Sequence, residues 1–166
     1  MFCSYGAESN RTHVRVSAVA NAVSQESTRE HDDHTITKVR KCYNDSTVTT
    51  TAGGDLVVEA DFGDITDSGV ITATGTSSFT TTQADANITL DQVSSFTDAV
   101  SLATKGVNGD TSITNVGKDL NLSIVTTTAG GDLIVDAVAG DITELGVIKA
   151  TATSSFTTTP PAATIT

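Results

Sequence analysis

The chain has 166 residues, a formal net charge of −11, and 4% aromatic residues with no Trp. A surface this acidic would repel nucleic acid and anionic membranes, so we expect neither as a partner. Few aromatic side chains and many Thr, Val, Gly and Asp residues exclude an ordinary compact core and predict short strands joined by tight turns. No apolar run is long enough to span a bilayer, so we expect no membrane insertion, and an export signal would have to lie outside this sequence.

Residues 1–47 come first and show the least regular pattern. Cys3 and Cys42 fit neither a disulfide framework nor a zinc-binding spacing, so one bridge and two free thiols are equally open. The HDDH stretch at 31–34 contains metal-ligand residue types, but the aligned stretch 108–111 has no histidine, so the prediction is a solvated turn. We interpret residues 1–47 as a degenerate partial copy of a repeat.

The repeat is clearest from residue 48 onward. The segment 48–82 returns as 125–159, with 27 of 35 positions identical at an offset of 77 residues. Such self-similarity indicates a duplication, in which 48–124 is a full unit and 125–166 is a truncated unit. The chain is therefore expected to continue into further repeats of a longer protein.

Within each unit, short strand-like runs alternate with Gly, Asp or Asn. Five such runs are 56–58, 70–73, 87–90, 99–102 and 120–122. Their spacing of roughly 12 to 18 residues predicts roughly three to five coils in a unit. No segment shows a sustained helical stripe.

Stacked coils explain this rhythm, because a single coil cannot bury its apolar face alone, whereas a stack places like side chains on like and pairs the backbones. We therefore predict one all-β domain over 1–166, a single-stranded parallel β-helix (β-solenoid) built from an approximately 77-residue repeated unit of several coils. Phe79, Phe96 and Phe156 are expected inside. Glycines expected at corners are Gly53, Gly54, Gly63 and Gly69, with their partners Gly130, Gly131, Gly140 and Gly146.

The chain contains four patterns that carry a family resemblance: GGDLxVxAxxGDIT, GVIxATxTSSFTT, NITLDQVSSFTDAVSL and SITNVGKDLNL. Together they resemble the repeat regions of large bacterial surface proteins related to filamentous haemagglutinin and other giant β-strand-repeat adhesins. The resemblance implies a right-handed parallel β-helix at the bacterial cell surface, acting as a stalk or adhesive fibre that contacts host or environmental glycans or proteins. Arg11 and His13 depart from the pattern, since they stand where Ile88 and Leu90 stand, and they predict an irregular or edge-capping coil there.

Four Asp residues follow glycine: Asp55, Asp64, Asp132 and Asp141. Rows of stacked carboxylates would attract Ca²⁺, but the spacing fits neither an EF-hand loop nor the calcium nonapeptide repeat. The prediction is an Asx-type corner, in which Asp bonds nearby backbone amides.

Thr-rich runs at 49–51, 72–76 and 80–82 raise an ice-binding solenoid as an alternative. An ice-binding face needs a Thr-x-Thr motif on the same side of every coil. The Thr-rich runs are absent from residues 87–102, NITLDQVSSFTDAVSL. Strand propensity and hydroxyl ladders on a wet face are the prediction.

Parallel β-helices also host carbohydrate-active enzymes, which work with a unique set of carboxylates. The acids here recur instead: Glu59 corresponds to Asp136, and Asp67 to Glu144. We interpret them as surface charge and predict no enzyme and no catalytic, cofactor-binding or metal-binding residue. An ice- or calcium-binding solenoid is the alternative, and a carbohydrate-active enzyme comes after it.

Overall fold

The computed structural model of the chain describes residues 23–26, 34–39, 43–50 and 53–166. These residues form strands and turns, with no helix among them. The strands in chain order are β1 (Val23–Glu26), β2 (His34–Val39), β3 (Tyr43–Thr49), β4 (Leu56–Ala60), β5 (Ile65–Asp67), β6 (Ile71–Ala73), β7 (Ser77–Thr81), β8 (Ile88–Phe96), β9 (Val100–Thr104), β10 (Thr111–Asn115), β11 (Leu120–Thr127), β12 (Leu133–Ala137), β13 (Ile142–Glu144), β14 (Ile148–Lys149) and β15 (Ser154–Thr158).

The described strands pair in parallel and fall into two sheets. The eight-stranded sheet has the order β1-β3-β5-β8-β10-β12-β15, with β6 pairing β3 and β8. The seven-stranded sheet has the order β13-β11-β9-β7-β4-β2, with β14 pairing β11. The chain crosses from one sheet to the other at successive corners and so winds around a common core. The predicted all-β parallel solenoid is confirmed.

One full coil takes 21 to 23 residues, which is the separation of paired residues in neighbouring coils. Leu56 pairs with Ser77, and Ile65 pairs with Ile88. Each coil passes once through each sheet, so a half-coil takes about 11 residues, fewer than the spacing predicted from sequence. The sequence pattern missed β5, β7 and β10, because these strands are rich in Ser and Thr and contain few apolar residues.

The duplicated segments lie on opposite sheets. Strand β4 belongs to the seven-stranded sheet, whereas the equivalent β12 belongs to the eight-stranded sheet, and β7 and β15 are exchanged in the same way. With about 22 residues in a coil, the offset of 77 residues equals about three and a half coils. Each copy is therefore turned by half a coil relative to the copy before it.

The core lies between the two sheets and consists of inward-facing apolar side chains. Phe79 from the seven-stranded sheet meets Phe96 from the eight-stranded sheet in a T-shaped contact, with ring centroids 6.0 Å apart. Both rings are buried, as predicted. Phe156 is only half-buried, because it lies near the C-terminal end of the described stack.

Glycine is required at the corners for two different reasons. Gly53 and its equivalent Gly130 have φ values of +83° and +91°, a left-handed conformation that side chains with a Cβ rarely adopt. Gly131 is needed for close stacking, since a Cβ there would lie 2.1 Å from the carbonyl oxygen of Gly109 in the preceding coil. The predicted corner roles are confirmed at these positions.

Candidate interaction surfaces

A column of Asp and Asn side chains runs along the corner where the chain enters the eight-stranded sheet. Each Oδ1 accepts the backbone N–H one coil further on: Asp64 from Asn87 at 2.9 Å, Asn87 from Asp110 at 2.8 Å, Asp110 from Asp132 at 2.9 Å, and Asp132 from Thr153 at 2.9 Å. Hydrogen bonds from backbone N–H groups to carboxylates are charge-assisted and are stronger than hydrogen bonds between neutral groups. The column therefore ties successive coils together.

The opposite corner, where the chain enters the seven-stranded sheet, has the same arrangement. Asp55 accepts both the backbone N–H and the hydroxyl of Thr76 at 2.8 Å, and Asp141 accepts the N–H of Thr164 at 2.7 Å. The four predicted corner aspartates thus bond backbone amides, but the amides belong to the next coil rather than to a local turn. Stacking of the coils brings those amides within reach of the carboxylates.

The corner aspartates and the HDDH stretch contain residue types that ligate metals. In the part of the chain that the structure describes, no group of three or more His, Cys, Asp or Glu side chains is placed to hold a metal ion. The HDDH stretch at 31–34, together with Arg11, His13, Cys3 and Cys42, lies outside the residues whose side chains are described.

From β4 to β15, Ser and Thr are the commonest residues on the outer faces of the sheets. On the eight-stranded sheet, one row of registered positions contains Thr66, Thr89, Ser112, Ile134 and Ser155. Ile134 is 52% exposed and interrupts the hydroxyl groups of that row. The row therefore does not supply the unbroken Thr rank that an ice-binding face requires.

The Thr-rich runs alternate between the outer face and the interior. Thr81, Thr104 and Thr127 form a fully buried column at one corner. Their hydroxyl groups donate to backbone carbonyls of the same corner: Ala86 at 3.2 Å, Gly109 at 3.0 Å and Gly131 at 3.1 Å. The inward threonines therefore satisfy carbonyl groups that would otherwise be buried without a partner.

Each copy also has a bulge where one long strand faces two short ones. Strand β8 pairs with both β5 and β6, and β11 pairs with both β13 and β14. The bulges span 68–70 and 145–147, and their exposed side chains include Val70 (44%), Leu145 (58%) and Val147 (68%). Since the copies are related by half a coil, the two bulges project from opposite sheets.

Asp67, beside the first bulge, is buried, which corrects the interpretation of this residue as surface charge. It is 6% exposed and accepts hydrogen bonds from the N–H of Asp91 at 3.0 Å and the hydroxyl of Ser94 at 3.3 Å. Burial raises the pKa of the Asp67 carboxyl above its ordinary value, although the amide hydrogen bonds oppose this shift. The equivalent Glu144 is exposed.

The C-terminal end of the stack presents an open apolar recess of about 250 Å³. Its lining residues are Ile142, Glu144, Ile148, Phe156, Ile165 and Thr166. The equivalent surface of the unit 48–124 is covered by the chain that follows it, where Ile88 pairs with Ile65 and Phe96 packs on Phe79. The recess therefore consists of core positions that are exposed at the C-terminal end of the stack.

Comparison with known proteins identifies a repeat. Residues 42–103 match a family model described as "Repeats of unknown function (DUF5649)". Neither a curated protein nor a solved structure matches the chain. The chain is therefore a repeat protein with a β-solenoid fold. Among its described residues there is no helix with the length and apolar character needed to cross a membrane.

Proposed function

We propose that the chain is a structural segment of a secreted or cell-surface repeat protein, in which it forms a stiff stalk or adhesive fibre. The observation that carries this proposal is the equivalent bonding of the two copies. Thr76 donates its N–H to Asp55, and Thr153 donates its N–H to Asp132, although the two pairs lie at opposite corners. A unit that bonds its neighbours equally well on either side can be added repeatedly, and each addition lengthens the rod.

A stalk of this kind acts by repetition rather than through one pocket. The Ser- and Thr-rich outer faces offer many hydroxyl groups for weak contacts with glycans or proteins of a host or environmental surface, and such contacts gain strength with the number of copies. The resemblance to haemagglutinin-type repeats supports the bacterial cell surface as the location. We include a non-catalytic role in the proposal, because corner carboxylates such as Asp64 and Asp132 are engaged between coils.

The stalk is tested by the length of chains that contain one, two and three complete 77-residue units. Each unit should add about 17 Å to the maximum dimension, because three and a half coils stack at about 4.8 Å each. Small-angle X-ray scattering measures this length. A variant with Val58→Asp, which places a charge in the core, should lose the rod-like profile. A maximum dimension that does not grow with the number of units would contradict the stalk.

Adhesion and location are tested separately. Beads coated with one, two or three units should bind a glycan array or immobilised matrix proteins with an avidity that rises steeply with the number of units. Antibody labelling of intact cells of the source organism should detect the chain outside the cell. If avidity does not depend on the number of units, the adhesive role is wrong while the stalk stands, and labelling only after cell lysis would contradict the location.

A further inference from the structure

Four Asn-x-Ser/Thr sequences occur in the chain, and they form two pairs that are related by the duplication. Residues 10–12 (NRT) correspond to 87–89 (NIT), and residues 44–46 (NDS) correspond to 121–123 (NLS). This tripeptide is the acceptor signal for N-linked glycosylation when its middle residue is not Pro.

The first copy has diverged strongly, and yet both acceptor sequences are retained in it. Only 16 of the 47 residues in 1–47 are identical to their equivalents in 78–124. In both pairs the middle residue has changed between polar and apolar, from Arg11 to Ile88 and from Asp45 to Leu122, while the Asn and the hydroxyl residue are kept. The retained positions are those that the acceptor signal needs.

The other asparagines supply an internal control. The chain has seven Asn residues, and the three outside these sequences are Asn21, Asn108 and Asn115. Their equivalents in the other copy are Asp98, His31 and Lys38, so none of the three is retained. Asn is therefore kept between the copies only where a Ser or Thr follows two positions later.

The structure places the acceptor sequences 87–89 and 121–123 in accessible positions. Asn87 and Thr89 lie on either side of the fully buried Ile88, and both are only partly buried. Asn121 and Ser123 lie in the same way around Leu122, because alternate residues of a strand share a face. In both sequences, the Asn and the hydroxyl residue thus face outward together.

Among the described residues, the amide nitrogens of these asparagines take no part in holding the coils together. Asn87 contributes its Oδ1 to the corner column by accepting the N–H of Asp110. No described residue accepts a hydrogen bond from the Nδ2 of Asn87 or of Asn121. A substituent on either Nδ2 would therefore extend from the outer surface without removing a bond that holds the coils.

We propose that Asn87 and Asn121 are acceptor sites for N-linked glycans. The donor is a sugar activated at its anomeric carbon by a phosphate group, either a nucleotide sugar or a polyprenyl-linked oligosaccharide, and a glycosyltransferase of the export route carries out the transfer. The Nδ2 attacks the anomeric carbon, a carbon–nitrogen bond forms, the carbon–oxygen bond to phosphate breaks, and one proton leaves the nitrogen. No oxidation or reduction is involved.

The half-coil relation distributes these glycans around the rod. Asn121 lies on the seven-stranded sheet, whereas Asn87 lies at the corner that leads into the eight-stranded sheet. Asn44, the equivalent of Asn121, belongs to β3 of the eight-stranded sheet. Equivalent Asn-x-Ser/Thr sequences thus alternate between the two sheets along the chain. The inference rests on the proposed location outside the cell but not on adhesion.

The test is peptide mapping by mass spectrometry of the protein isolated from the exported fraction of its own organism. Peptides with Asn87 and Asn121 should carry a glycan, whereas the exposed Asn108, which lacks the signal, should be bare. An added mass of one sugar identifies a nucleotide-sugar donor, and an added oligosaccharide identifies a polyprenyl-linked donor. Either result supports the proposal.

Matched variants separate the signal from the fold. Thr89→Ala and Ser123→Ala should abolish the glycan at Asn87 and Asn121, whereas Thr89→Ser and Ser123→Thr should retain it. These variants are preferable to Asn87→Gln, which would also disturb the bond to Asp110. Unchanged circular dichroism and elution volume verify folding. An exported protein that is bare at both sites, or Ala variants that keep their glycans, would overturn the proposal while leaving the stalk intact; a protein found only inside the cell would instead overturn the proposed location.

Discussion

The segments 48–82 and 125–159 are nearly identical in sequence, and yet they differ in what they bury. Phe79 is completely buried, whereas Phe156 is half-buried, and Ile71 and Ile148 differ in the same way. The first segment lies beneath further coils, and the second lies at the open C-terminal end. Burial in this molecule is therefore decided by the coil that follows rather than by the residue itself, which is the behaviour expected of a stack with nearest-neighbour contacts.

The largest expected effect comes from removing the two equivalent aromatic rings. Phe79→Ala should lower the free energy of unfolding by about 3–5 kcal/mol, because it leaves a cavity in a closed core. Phe156→Ala should cost about 1 kcal/mol or less, since the ring already meets solvent. Urea denaturation followed by circular dichroism measures both values. Equal losses at the two positions would contradict the comparison.

Covering the open end should make the two segments alike. A chain extended after Thr166 by a copy of residues 90–117 should bury Phe156 under a new Phe, as Phe96 covers Phe79. The cost of Phe156→Ala should then rise to about 3 kcal/mol. The matched control is an extension that carries Phe96→Ser in the appended copy, and it should give a smaller rise. No rise with the intact extension would show that the recess is not a site for the next coil.

The buried threonine column offers a smaller contrast. Thr81→Val removes the hydroxyl that satisfies the carbonyl of Ala86 in the core and should cost about 1 kcal/mol. Thr158, the equivalent residue at the open end, is half-buried. Thr158→Val should therefore cost only about 0.3 kcal/mol. Thermal unfolding of the two variants checks the difference, and a larger loss for Thr158→Val would count against it.

The smallest expected effect concerns pH. Burial raises the pKa of Asp67 in the folded chain above 3.8, so the stability that the neutral carboxyl contributes is complete below pH 3.8 and is lost as the pH rises through the folded pKa. Relative to the wild type, Asp67→Asn should therefore be more stable at pH 7 than at pH 3.5. Glu144→Gln, a change of the same kind on an exposed side chain, is the control. Parallel stability curves for Asp67→Asn and the wild type would contradict this assignment.

The sequence was sufficient to predict the parallel solenoid, because the duplication and the alternation of apolar and polar residues in runs such as 120–122 are visible in the sequence itself. It did not predict the half-coil relation. The offset of 77 residues is visible in the letters, but its meaning depends on how many residues a coil takes, and the missed strands β5, β7 and β10 concealed that number.

Side-chain environments were harder to predict than the fold. The corner role of Asp64 follows from its place after glycine, but its bond to Asn87 depends on stacking between residues 23 apart. The sequence predicts Asp67 at the surface, because its equivalent Glu144 keeps the charge, and only the structure shows that Asp67 is buried. The acceptor sequences at 87–89 and 121–123 can be read from the sequence alone, because Asn is retained between the copies only at these positions and their equivalents.

The half-coil offset also has a mechanical consequence. Equivalent strands of successive copies lie in opposite sheets, so any strain or excess length that one sheet gains within a unit falls to the other sheet in the next unit. A fibre built from such units cancels its own tendency to bend over every 154 residues, which is twice the offset between copies. A fibre of such units can therefore stay straight even if its individual coils are irregular, provided that each unit spans an odd number of half-coils.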